Sequence, residues 1–218
     1  MSGETPIVCV VDHDAEQRER LTATIGGMGL KVEMYASGEE FLDRYHDRSE
    51  APKCMVLDAD MPGLSGLGLQ KMLAAEGIDM PVIMLSSSAD IPTAVSAMRA
   101  GAMDFLEKPV DNHTLSLRIR EAIDRCVSQQ REAGRKCELA KRTECLSARQ
   151  REVLELLVTG ERSKQIARQL GIGEKTVAKH RATVLEKMRV DSVVELVCLF
   201  ASASPTPQIG HASLAQCN

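Results

Sequence analysis

Four apolar runs in the first 125 of 218 residues each stop at side chains able to do chemistry. The run over 6–11 stops at Asp12-His13-Asp14, that over 54–57 at Asp58, and that over 81–85 at Ser86; the run over 103–106 ends just before Glu107-Lys108-Pro109. If these runs are strands of one parallel sheet, their carboxyl ends form a single rim, the place where such sheets bind ligands. Carboxylates, a hydroxyl and an ammonium would then converge there, which are the parts of an aspartyl-phosphate site. Asp58 suits the role of carboxylate nucleophile toward a phosphoryl group. Phosphoryl transfer needs its negative charge neutralised by Mg²⁺ and a lysine, and Lys108 is placed to be that lysine. Asp12 is placed to hold the metal directly or through water, because Mg²⁺ keeps several waters and takes few carboxylates. Ser86 can donate a hydrogen bond to a phosphoryl oxygen. A phosphate adds about −1.5 to −2 of charge, so new contacts to Ser86 and Lys108 would draw their two loops inward.

The elements that must position these residues alternate in type. Asp14 with Gln17, and Ser37 with Glu40, have capping-box spacing and open two helices, with a short strand over 31–35 between them. Further helices are predicted over 64–75 and 90–99, and a fifth from about Asp111. Five β-α units in 125 residues predict an α/β fold, a (βα)5 doubly wound parallel sheet with helices on both faces. Residues 111–145 read as one long polar helix. Ile119, Ile123, Cys126, Gln130, Ala133, Cys137 and Ala140 form a weak heptad-like stripe on it, either a solvated linker or a dimer seam. Gly134 is a candidate hinge, and oxidation of Cys126 and Cys137 could lock two chains together.

From Leu146 onward only helical patterns occur. Ser147 with Gln150 opens one helix that Gly160 ends, Ser163 caps a second that Gly171 ends, Glu174 opens a third through Met188, and Asp191 or Ser192 opens a last one through Phe200. A helix pair joined by Gly171-Ile172-Gly173 is a helix-turn-helix candidate. Residues 202–218 carry Pro205, Pro207 and Gly210 among small polar residues and are expected to be a disordered tail.

Charge supports a division of labour. Residues 1–125 hold 12 Lys+Arg against 21 Asp+Glu, and residues 126–218 hold 15 against 10. Residues 162–189 alone carry eight Lys/Arg and two Glu, the footprint of a phosphate-backbone binder. With no apolar run of about 18 residues and no signal-peptide pattern at the N-terminus, the expected location is the cytoplasm, with no membrane partner. Seven cysteines without a Cys-x-x-Cys pair argue against a zinc site or disulfide framework. Cys9 and Cys54, inside apolar runs, are expected in the core.

These motifs carry a family resemblance. VLDADMPGLSG and VIMLSSSADIPTAVSAMRAGAMDFLEKP resemble the phosphoacceptor and strand-four to strand-five segments of receiver domains, over about residues 6–125. LSARQREVLELLVTGERSKQIARQLGIGEKTVAKHRATVLEKM resembles the LuxR-type helix-turn-helix of NarL/FixJ-class response regulators, over about 146–200. The resemblance implies a receiver domain over 1–125, a helical linker over 126–145, and an all-α four-helix DNA-binding domain over 146–201. It further implies a two-component transcriptional regulator rather than an enzyme. A sensor histidine kinase would phosphorylate Asp58; Ser86 and Phe105 would switch, Lys108 would hold the phosphate, and the Lys108–Pro109 bond would be cis. The backbone carbonyl of Asp60 would join Asp12 and Asp58 around Mg²⁺. The activated homodimer would meet a two-fold operator and RNA polymerase. Lys164 would hold phosphate, while Lys175, Thr176, Lys179 and Arg181, near the start of the second helix, would face the groove. Ala178 offers no long side chain to a base.

One position departs from the pattern. His13 stands where receiver domains carry a second carboxylate, and an imidazole is a poor ligand for Mg²⁺. Three readings stay open: weakened Mg²⁺ binding, a regulator that works without phosphorylation, or a pH- or metal-selective site. Asp58-Ala59-Asp60 also resembles the nucleophile motif of haloacid-dehalogenase-type phosphatases, although a whole β-α-β unit precedes it here.

Overall fold

The computed structural model describes residues 4–45, 51–88 and 90–203. Their elements run β1 (Ile7–Val11), α1 (Ala15–Gly26), β2 (Lys31–Tyr35), α2 (Gly38–Arg44), β3 (Lys53–Asp58), α3 (Gly66–Ala75), β4 (Val82–Ser86), α4 (Ile91–Arg99), β5 (Asp104–Glu107) and α5 (Asn112–Glu144), then α6 (Ala148–Val158), α7 (Ser163–Leu170), α8 (Glu174–Met188) and α9 (Val193–Ala203). The chain divides into two compact units, residues 1–130 and 131–218.

In the first unit the five strands form one parallel sheet in the order β2-β1-β3-β4-β5. The order reverses between β1 and β3, so the crevice for a ligand lies at their carboxyl ends. Alternate side chains of the central strands fill opposite faces. Cys9, Val11, Met55, Leu57 and Met84 pack with Phe41, Leu69, Leu73 and Ala97 on the α2–α4 side. Val8, Val10, Cys54, Val56, Ile83 and Leu85 pack with Leu21, Ile25, Leu115 and Ile119 on the other. Two covered faces explain why these strands read as unbroken apolar runs. Cys9 and Cys54 are fully buried, as expected, and burial pushes the Cys9 thiol up to about 12.

The caps mostly follow the sequence. Asp14 accepts from the Glu16 and Gln17 amides, Ser37 from the Glu40 amide, and Asp90 from the Thr93 amide. Helix α3 starts at Gly66 rather than Leu64, because Ser65 is its N-cap and accepts from the Gly68 amide.

The stripe on α5 needs correcting. Ile119 and Ile123 are spent in the core of the first unit, and Cys126 is buried with its Sγ 3.4 Å from the Lys53 amide. Cys137 is exposed. The two cysteines therefore share no exposed face, and a cross-link through both is excluded in the folded chain. The helix runs through Gly134 without a break. Leu139, inside the expected solvated linker, belongs to the core of the second unit.

That second core gathers Val153, Leu154, Leu157, Ile166, Val177, Val184, Met188 and Leu196. Ser147 and Gln150 form the complete capping box of α6. Ser163, expected to cap α7, is its first helical residue. Arg162 is the N-cap, and its amide donates to Gln165 Oε1 at 3.0 Å. Gly171 closes α7 in the left-handed region, φ 64°, which glycine enters without steric cost. Helix α9 continues through Ala203, so the first two residues of the expected tail are helical; residues 204–218 lie outside the described residues.

Candidate functional site

Asp12 follows β1, Asp58 and Ser86 end β3 and β4, and Lys108 follows β5, so the rim gathers all four as the sequence requires. Asp12, Asp58 and Ser86 are each only 1% exposed. Two buried carboxylates side by side would repel each other without a cation. Lys108 supplies it: its Nζ donates to Asp12 Oδ2 at 2.8 Å and to Asp58 Oδ1 at 2.9 Å. Burial works against the Lys108 ammonium, but the hydrogen bonds and charges of Asp12 and Asp58 outweigh it and hold its pKa above the usual lysine range. The Lys108–Pro109 peptide is cis, as the resemblance implied.

His13 occupies the remaining flank. Its Nδ1 lies 2.8 Å from Asp58 Oδ2 and 3.8 Å from Asp12 Oδ1. Asp58 Oδ1 also accepts from the Asp60 amide at 3.2 Å. Both oxygens of Asp58 are thus engaged. Arg18 steadies the β1 end by donating to the Asp12 carbonyl at 2.7 Å.

One donor atom each from Asp12, His13 and Asp58 lies within 4.8 Å of the others. Adjacent ligands of an ion with bonds of about 2.1 Å sit roughly 3 Å apart, close to the His13–Asp58 spacing. The pocket therefore fits a divalent cation, with a nitrogen in place of one oxygen. Mg²⁺ prefers oxygen donors, whereas imidazole suits transition metals. Asp60 is not part of this cluster. Its Oδ2 accepts from the Ser86 hydroxyl at 3.1 Å and from the Ser87 amide at 2.8 Å. The sequence offers Asp60 as a backbone metal ligand or as the second Asp of a phosphatase-type motif; its side-chain contacts with Ser86 and Ser87 are not legible there. Ser86 Oγ is also 2.9 Å from the Ser88 carbonyl. Phe105 is half-buried against the α2–α4 side core.

The β3–α3 loop is shaped by a close approach. A Cβ on Gly66 would sit 2.2 Å from the Asp58 carbonyl oxygen, so only glycine lets α3 begin this near the nucleophile.

In the second unit, Lys164, Lys175, Thr176, Lys179 and Arg181 are all exposed. Among the described residues none of the four cations is in an ion pair. On α8, at about 100° per residue, Lys175 and Lys179 fall opposite the buried Val177, Val184 and Met188. Arg181 projects only about 40° from Val177, at the flank of the buried face, and so is not placed with Lys179. Lys187 is taken up structurally, donating to the Cys145 carbonyl and Gln150 Oε1 at 2.9 Å each.

Both units have family matches. Residues 8–120 match the response regulator receiver domain, and residues 144–200 match the bacterial regulatory proteins of the luxR family. The chain is 41% identical to the transcriptional regulatory protein FixJ of Azorhizobium caulinodans, over 92% of this chain and 94% of that protein. It is 37% identical to the response regulator protein TodT of Pseudomonas putida, over 90% and 86%. Among solved structures, the response regulator StyR superposes with a TM-score of 0.79 at 34% identity, covering 91% of this chain and 99% of that one. Full-length FixJ from B. japonicum gives 0.57 at 35%, covering 92% and 98%. No described helix is long and apolar enough to cross a membrane. A sheet with its acidic pocket at the β1/β3 switch point, followed by a basic helix-turn-helix, thus has family matches at both ends, and the chain belongs to the DNA-binding response regulators of two-component systems that join a receiver domain to a LuxR-type domain.

Proposed function

We propose that this regulator, working in the cytoplasm, is switched by phosphorylation of Asp58. A sensor histidine kinase would present a phosphohistidine; an Asp58 carboxylate oxygen bonds to phosphorus as the P–N bond breaks and the imidazole leaves. The observation that carries this reading is Lys108 bridging the buried Asp12 and Asp58 carboxylates, because a fixed ammonium beside the nucleophile stabilises charge on the transferring group. Asp12 and Asp58, with the Asp60 carbonyl, would hold Mg²⁺, which neutralises phosphoryl charge when bound. His13 weakens that site, and its ring, 44% exposed, has room to leave Asp58 Oδ2.

Phosphorylation shifts an equilibrium only if the two states bind the phosphoryl group differently. Ser86 and Phe105 would register it, and the exposed Ile91, Val95 and Met98, on one face of α4, would pair two receivers. Two DNA-binding domains, the ones read over 146–201, then meet a two-fold operator with half-sites about one helical turn apart and engage RNA polymerase. Lys164 contacts phosphate, and Lys175, Thr176 and Lys179 enter the groove, with Arg181 at its edge. Borohydride converts an aspartyl phosphate to homoserine; after acetyl-phosphate treatment, homoserine at position 58 supports the assignment, and its absence there refutes it.

A second reading, activation without phosphorylation, is favoured by the His13–Asp58 contact alone. The phosphatase reading finds no support, because the Asp60 carboxylate is committed to Ser86 and Ser87.

A further inference from the structure

Asp60 holds the hydroxyl of Ser86. Its Oδ2 gathers two donors at once, Ser86 Oγ at 3.1 Å and Ser87 N at 2.8 Å. Ser86 Oγ also accepts from the Ser88 amide at 3.2 Å, so residues 86–88 turn around this hydroxyl. Two donors converging on one anionic oxygen make a small anion site, and Asp60 fills it from within the chain.

A serine hydroxyl has a single proton. While Ser86 donates to Asp60 or to the Ser88 carbonyl, it cannot donate to a group on Asp58. Asp58 ends the neighbouring strand, paired with Leu85, so a phosphoryl group there would compete for the same proton. The competition is between anions, and the added charge of about −1.5 to −2 would also repel the Asp60 carboxylate. Both effects require Asp60 to release Ser86 before the phosphorylated state is complete.

We infer that Asp60 is a positioning residue that acts as an internal competitor of the phosphoryl group, holding Ser86 and Ser87 in the resting arrangement and raising the level of modification needed to switch. The inference rests on the phosphorylation reading of Asp58. It concerns the side chain, which neither the metal cluster nor the DNA-binding half uses.

The test compares wild type, Asp60→Ala and Asp60→Asn as full chains. Beryllofluoride, a phosphoryl mimic, is titrated at saturating Mg²⁺, and dimerisation is followed by analytical ultracentrifugation. Losing a charge-assisted hydrogen bond should lower the half-saturating beryllofluoride about tenfold in Asp60→Ala, with Asp60→Asn between it and wild type. Removing a carboxylate near the pocket would by itself weaken Mg²⁺ binding, and the saturating Mg²⁺ keeps that effect out of the curve. The Ser87 amide resonance reports the contact without any ligand, and should move in Asp60→Ala. An unmoved resonance, or a wild type that switches with Asp60→Ala unchanged or harder to switch, overturns the inference and leaves the phosphorylation reading standing. A response in Asp60→Ala alone supports it. No response in any of the three chains removes both readings together.

Discussion

His13 Nδ1 lies 2.8 Å from Oδ2 of Asp58, the oxygen that Lys108 leaves free. An imidazole therefore covers the exposed side of the nucleophile, in the place where the resemblance leads one to expect a metal-binding carboxylate. His13→Asp exchanges a nitrogen donor for an oxygen donor. It should tighten Mg²⁺ binding about tenfold or more and speed acetyl-phosphate labelling. Wild type should favour Co²⁺ over Mg²⁺ by a wider margin than His13→Asp does. Calorimetric titration of both proteins with both ions checks this; equal affinities for Mg²⁺ contradict it.

Lys108 bridges two buried carboxylates, Asp12 and Asp58. Its folded pKa is raised, so its contribution to stability is complete at any pH below about 10.4 and is lost only as pH rises through the higher folded value. Lys108→Met removes the ammonium and leaves Asp12 beside Asp58. The variant should lose about 3 kcal/mol at neutral pH without divalent ions. The deficit should shrink on adding Mg²⁺. Urea unfolding with and without Mg²⁺ measures it, and a deficit that Mg²⁺ does not reduce would place the loss in packing instead.

Gly66→Ala forces a methyl group against the Asp58 carbonyl. Backbone rather than a flexible side chain must give way, at a cost of about 1–3 kcal/mol. Acetyl-phosphate labelling should slow with it, because the end of β3 that carries the nucleophile moves. Thermal melts and labelling rates read the two effects separately.

Lys175 and Lys179 share the outward side of α8. Alanine at either should weaken operator binding by about 1–3 kcal/mol, and a lost phosphate contact should also lower the salt slope by about one. Arg181→Ala should cost less, since its side chain leaves the helix beside the buried face. Gel-shift titrations at two salt concentrations rank the three; Arg181 outranking Lys179 would contradict the placement.

The strands and the pocket were legible because a parallel sheet covered on both faces writes continuous apolar runs, and chemistry begins where each run stops. Asp12, Asp58, Ser86 and Lys108 were found that way. The two donors on Asp60 were not, because no periodicity marks a hydrogen bond between two loops. The stripe from Ile119 to Cys126 was misread because one helical period serves a core and a dimer seam alike; only the packing shows that the sheet has taken those residues. Ser163 gave way to Arg162 as N-cap because the Gln165 side chain satisfies the Arg162 amide. The flank position of Arg181 was readable from spacing, since it stands four residues from the apolar Val177.

Phosphorylation of Asp58, and the pairing of chains on DNA proposed to follow from it, can be tested in one sample. Full-length protein is incubated with acetyl phosphate and Mg²⁺, its intact mass is read, and dimerisation and operator binding are measured on the same sample. One phosphoryl group per chain is expected, absent in Asp58→Asn, with dimerisation and tighter operator binding in step with it. No adduct, with operator binding already at full strength, would contradict it.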